Sequence, residues 1–129
     1  MRYLGIDYGT KRVGLAISDS EGKMAFPLDV LDSENNLIPE ITKICKENDI
    51  GEIVVGESLD FHQNENLVME AIKPFVKDLQ FSTGLPISLH PEFLTSQEAE
   101  RIQGKNNMHD ASAAALILKS YLDLLDNNK

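Results

Sequence analysis

Hydrophobic and polar positions alternate from the first residues. In "MRYLGIDYGT", Leu4 and Ile6 fall on one face while Tyr3, Gly5 and Asp7 fall on the other, the period of two that marks a strand. "KRVGLAISD" repeats the pattern through Val13, Leu15 and Ile17 after a tight turn at Gly9, and reads as a second strand. A turn at "EGK" leads into a third short strand, "MAFPLDVL". Pro27 cannot donate to a ladder, so this strand belongs at a sheet edge. Three strands joined by short turns predict an antiparallel meander.

The period then lengthens. Leu37, Ile41, Ile44 and Cys45 recur at helical spacing, with Pro39 tolerable only in the first turn. "EIVVGE" is a continuous apolar run that suits a central parallel strand. "NENLVMEAIKPFVKDLQ" is helical by Ala71, Ile72, Phe75, Val76 and Leu79, and Pro74 inside it predicts a kink or a split. Gly84 closes that helix, and "PISLH" reads as a fifth strand. "TSQE" at 95–98 carries a capping-box signature for a short helix, and "MHDASAAALILKSYLDLLD" is a final apolar helix. The order βββαβαβ followed by helices predicts an α/β fold. Its mixed five-stranded sheet combines a three-strand antiparallel meander with two parallel strands, and helices cover both faces.

Composition narrows the class. The 129 residues are expected to form a single domain, 1–129, with one core. Apolar residues make up 42% and charged ones 26%, ordinary globular values. The one cysteine, Cys45, falls on an apolar helix face and reads as a buried thiol. No apolar run approaches a membrane span, and the chain opens directly on a strand without a signal-peptide pattern, so a cytoplasmic protein is expected. A net charge of −9, from 21 acids and 12 bases, argues against nonspecific grip on a duplex, although Lys11, Arg12 and Lys23 cluster in the first strands.

Candidate chemistry sits in the acids. Asp7 interrupts an apolar strand just before Gly9 and Thr10. It is either a turn residue bonding the backbone two positions on, or an acid held at a strand end to grip a metal or phosphate. Glu57 follows the fourth strand, Glu92 follows the fifth, and Asp110 opens the last helix, where it could equally serve the helix dipole. Sites in α/β sheets gather at the carboxyl ends of strands, so parallel first, fourth and fifth strands would bring these acids to one edge. Carboxylates converging there need a hard cation such as Mg²⁺ or Mn²⁺ among them, which fits phosphodiester cleavage. Asp60 and Glu65 read as solvated loop acids, and His62, His90 and His109 lack metal-ligand spacing. The paired cations Lys11 and Arg12, just after the Asp7 turn, are the candidates for holding a substrate phosphate.

Four segments, "LGIDYGTKRVGLAISD", "EIVVGESL", "LHPEFLTSQEAER" and "HDASAAALILKSYL", in that order and spacing, resemble the YqgF (RuvX) family of RNase H-like nucleases. The resemblance spans nearly the whole chain. It implies a ribonuclease H-like fold, divalent-metal catalysis and a cytoplasmic home. It further implies action on nucleic acid, as Holliday junction resolution or maturation of the 5′ end of precursor 16S rRNA. By the same resemblance Asp7, Glu92 and Asp110 fall on the family's acidic positions. Two departures stand out. Where the family usually reads Asp-Glu-Arg-Leu, this chain has Pro91, Glu92, Phe93 and Leu94; where it usually reads Gly-Leu-Pro, this chain has Gly56, Glu57 and Ser58. Related resolvases such as RuvC carry their second acid at the end of the fourth strand. The sequence therefore favours Glu57, with Asp7 and Asp110, as the metal ligands, and leaves Glu92 in support. The competing readings are an inactive nucleic-acid or partner-binding homologue and an ATP-binding module of the actin and sugar-kinase type, which "DYGT" also resembles. Cutting a two-fold junction would require a homodimer.

Overall fold

The computed structural model describes residues 1–9, 12–32, 36–58, 67–92 and 109–127; at Glu57, Glu92 and Asp110 it describes the backbone position alone. The elements are β1 (Arg2–Tyr8), β2 (Arg12–Ser18), β3 (Ala25–Asp32), α1 (Leu37–Glu47), β4 (Ile50–Ser58), α2 (Leu67–Thr83), β5 (Ile87–Glu92) and α3 (His109–Asn127). They form one five-stranded sheet in the order β3-β2-β1-β4-β5. β1, β2 and β3 pair antiparallel, while β4 lies parallel to β1 and β5 parallel to β4. The meander and both parallel strands are as the hydrophobic pattern predicts. The helix expected at 95–98, the loop acids Asp60 and Glu65, and His62 lie outside the described residues.

The alternation seen in the sequence sorts the core into two layers. Leu4, Ile6, Val13, Leu15, Ile53 and Val55 pack on one side of the sheet against Leu37, Ile41 and Cys45 of α1 and Ile72, Phe75 and Leu79 of α2. On the other side Ala16 and Val54 meet Ala114, Ile117, Leu118 and Leu122 of α3. Burial pushes the Cys45 thiol up to about 11, which keeps it protonated and inert at neutral pH. Among the described helices none is long and apolar enough to cross a membrane.

Local chemistry sets the boundaries. Pro27 lies on the edge strand β3, beside a bulge where β2 shifts register between Leu15 and Ala16. Gly84 adopts φ +69° and returns its N–H to the Gln80 carbonyl at 2.8 Å, an αL cap that favours glycine. The split expected at Pro74 does not occur: α2 runs unbroken from Leu67 to Thr83. Buried Ile72, Phe75 and Leu79 hold the helix on both sides of the proline. Pro74 itself is exposed, so water can serve the carbonyl that loses its N–H partner.

Gly5 sets how close α3 comes to the sheet. A Cβ at this position would stand 2.8 Å from Leu118 Cβ and 3.1 Å from the Ala114 carbonyl oxygen. Gly5→Ala is therefore expected to destabilise the fold by about 1–3 kcal/mol, as overpacking does, and to lift α3 from β1. A thermal melt checks this; an unchanged Tm would mean that the helix does not rest on this glycine.

Candidate active site

Parallel strands bring their ends together. Tyr8, Ser58 and Glu92 are the last residues of β1, β4 and β5, so all three strands finish on one edge of the sheet. Asp7 and Glu57 each stand one residue before the end of their strands, and Asp110 is the second residue of α3. β2 begins at the same edge, because Val13 pairs with Tyr8, and Arg12 opens it. Lys11 lies outside the described residues.

The run of α3 carries Asp110 to this edge. Tyr121 meets Tyr3 edge-on with ring centroids 6.3 Å apart, and the Gly5 position abuts Leu118 and Ala114. Going backward along the helix therefore goes forward along β1. From Gly5 to Asp7 is about 7 Å of strand, and from Ala114 to Asp110 about 6 Å of helix, so the first turn of α3 arrives level with Asp7. Ala111, Ala113 and Ala114 are fully or almost fully buried, and such small side chains permit the approach. Ser112 in the same turn is also buried, and its hydroxyl has no hydrogen-bond partner among the described residues.

Strand parity then sorts the acids. On the α3 side, the Tyr121 hydroxyl donates to Glu52 Oε2 at 2.8 Å, with Ser88 Oγ 3.3 Å away. His90 Nε2 and Ser120 Oγ are 2.9 Å apart, and the His90 ring meets Tyr121 edge-on at 5.8 Å. Glu52 and Val54 of β4, and Ser88 and His90 of β5, thus occupy positions facing α3. Counting on by twos, Gly56 and Glu92 share that parity. Asp7 shares it as well, through Tyr3 and Gly5. Glu57 pairs with Pro91 and falls on the opposite parity, that of Val55 and Leu89. Asp7 is half-buried. Among the described residues no three His, Cys, Asp or Glu groups form a metal cage, and of the four candidate acids only Asp7 has a described side chain.

The Glu52–Tyr121–Ser88 and His90–Ser120 network went unread in the sequence. Its signal was the polar alternation of Ser88 and His90 within "PISLH". The network ties α3 to β4 and β5. Burial lowers the His90 pKa and, with Glu52 nearby adding to the effect, raises those of Tyr3 and Tyr121. A neutral imidazole suits the neutral hydroxyl of Ser120.

The sequence matches the family described as "RuvX: Holliday junction resolvase" over residues 1–124. A relative from Nitratidesulfovibrio vulgaris, named "Putative pre-16S rRNA nuclease", is 37% identical over 100% of this chain and 98% of its own length. Another of the same name, from Syntrophus aciditrophicus, is 34% identical over 100% of this chain and 93% of its own. Among solved structures, Thermus thermophilus RuvC aligns with a TM-score of 0.66 at 19% identity, covering 98% of this chain and 97% of that one. The fowlpox virus resolvase, solved with Holliday junction DNA, aligns at 0.62 and 13% identity, covering 97% and 99%. The two structural likenesses speak for the fold, which is that of the RNase H-like resolvases. On the match across nearly its whole length, the chain belongs to the RuvX family, whose described activity, Holliday junction resolution, is a nuclease reaction.

Proposed function

We propose that this protein is a metal-dependent endonuclease that hydrolyses phosphodiester bonds in structured nucleic acid. Its acids would be Asp7, Glu92 and Asp110. The carrying observation is the antiparallel run of α3 over β1, seated on Gly5, which brings the helix start level with Asp7 at the strand-end edge. Strand parity supports Glu92, on the α3 side, over Glu57 as the second acid. Glu57 then borders the site from the far side of the sheet edge.

The donor set fits a hard divalent cation, since carboxylate oxygens suit Mg²⁺ or Mn²⁺ and no thiolate or imidazole cluster competes among the described residues. Bound there, such a cation supplies Lewis-acid stabilisation of phosphate charge and a more acidic water. The protein's own part is to hold oxygen donors on a rigid edge. Glu52, Tyr121, Ser88, His90 and Ser120 fix α3 behind them. Arg12, at the start of β2, borders the edge where a substrate phosphate would lie, and Lys11 precedes it in the chain. Arg12→Ala is expected to weaken substrate binding and to lower the slope of log K against log salt by roughly 0.7–0.9, the share of one neutralised phosphate. An unchanged slope in a salt titration would remove Arg12 from this role.

The curated relatives carry a pre-16S rRNA nuclease name, which puts 5′-end maturation of precursor 16S rRNA, a cytoplasmic task, first among substrates. Resolution of a four-way DNA junction comes second and would require a second copy across its two-fold axis. The test is cleavage of both substrates by purified protein with Mg²⁺ or Mn²⁺ and with chelator. Metal-dependent cutting of at least one is expected. Tight binding of either without any cutting would favour the inactive homologue, a reading supported by Pro91 and Phe93 where the family usually has Asp and Arg.

A further inference from the structure

A groove of about 380 Å³ opens beside the acidic edge, on the sheet face opposite α3, bounded by Tyr8, Ile38, Pro39, Pro74, Phe75 and Asp78. Tyr8 is the residue after Asp7, so the groove opens at the same strand end as the first candidate acid, on the opposite face of the sheet. The Tyr8 ring lies against Phe75 with centroids 4.6 Å apart and planes tilted by 38°. Phe75 is buried and Tyr8 half-buried, so the pair forms a rigid aromatic wall. Pro39 and Pro74, both exposed, add apolar ring surface that carries no N–H donor.

These walls suit one part of a nucleic acid and not the other. Among the described residues that line the groove, Asp78 is the only carboxylate or cation, and it repels phosphate. A base offers a flat π-face to the aromatic wall and an exocyclic amine to the Asp78 carboxylate. We infer that the groove takes an unpaired nucleobase of the strand whose phosphate lies at the Asp7 edge. The substrate must then present single-stranded or extruded nucleotides next to the cut, because a base inside a duplex cannot reach the groove without unstacking. This inference rests on the nuclease reading for its substrate, but its test is independent of cleavage.

The chain has no tryptophan, so Tyr8→Trp places a single indole in the wall and keeps an aromatic ring for folding. With chelator present to prevent cleavage, single-stranded RNA oligonucleotides are titrated against this variant. Indole fluorescence reports stacking, and the anisotropy of a dye on the RNA reports binding. Quenching is expected with the intact oligonucleotide and not with one of matched length that lacks bases. Tyr8→Ala should weaken single-strand binding by about 5- to 150-fold, the range for one stacked base, while Tyr8→Phe retains it. Binding without quenching, equal quenching by the abasic strand, or no binding at all would overturn the inference. So would an indole shift that grows with protein concentration in the absence of RNA, which would give the groove to a second copy of the chain. A protein that quenches as expected yet cuts neither substrate would leave the groove assigned and overturn only the nuclease reading.

Discussion

Asp7→Asn is expected to reduce cleavage by about 10³-fold or more while leaving the fold in place. The substitution keeps the size of the side chain and removes its charge. Asp7 sits where β1 gives way to a turn, level with the first turn of α3, and it is half-buried. A carboxylate that holds a divalent cation contributes several kcal/mol to stabilising phosphate charge, and about 4 kcal/mol corresponds to a 10³-fold rate loss. Single-turnover cleavage with saturating Mn²⁺, beside a thermal melt, checks both halves of the expectation. A folded variant that cuts at the wild-type rate would leave Asp7 as a turn residue.

The second large effect separates Glu92 from Glu57. Glu92→Gln is expected to lose roughly 10²–10³-fold in rate, the scale of one preorganised charge or donor lost from a transition state. Glu57→Gln is expected to lose less than about tenfold. The reason is parity: Glu92 shares the α3-facing positions of Ser88 and His90, whereas Glu57 pairs with Pro91 on the other side. The reverse outcome would return the second ligand to Glu57, as the sequence favours.

Why the sequence could not decide between these two acids has a physical answer. β1 and β2 alternate visibly, so their faces can be read from Leu4, Ile6, Val13 and Leu15 alone. β4 is a central strand covered on both sides, and its run "IVV" at 53–55 is apolar at positions of both parities. Which of its residues face α3 emerges only once Val54 is seen against Leu118 and its neighbours, and Ile53 and Val55 against α1 and α2. The meander, the edge placement of Pro27, the first-turn Pro39 and the Gly84 cap were legible because each depends on local backbone chemistry. The split allowed for at Pro74 does not occur, for the opposite reason. The local cost of an interior proline is outweighed by the burial of Ile72, Phe75 and Leu79, a tertiary effect. His90 appeared as one of three scattered histidines, since its partner Ser120 is 30 residues away.

The account stands on three acids sharing one cation at the strand ends, and crystals soaked in Mn²⁺ test that directly through the anomalous signal of the metal. A peak is expected within bonding distance of the Asp7 carboxylate, with Asp110 and Glu92 oxygens among its other ligands, and it should vanish in Asp7→Asn. A peak bound elsewhere, or none at this edge at Mn²⁺ concentrations that support cleavage, would contradict it.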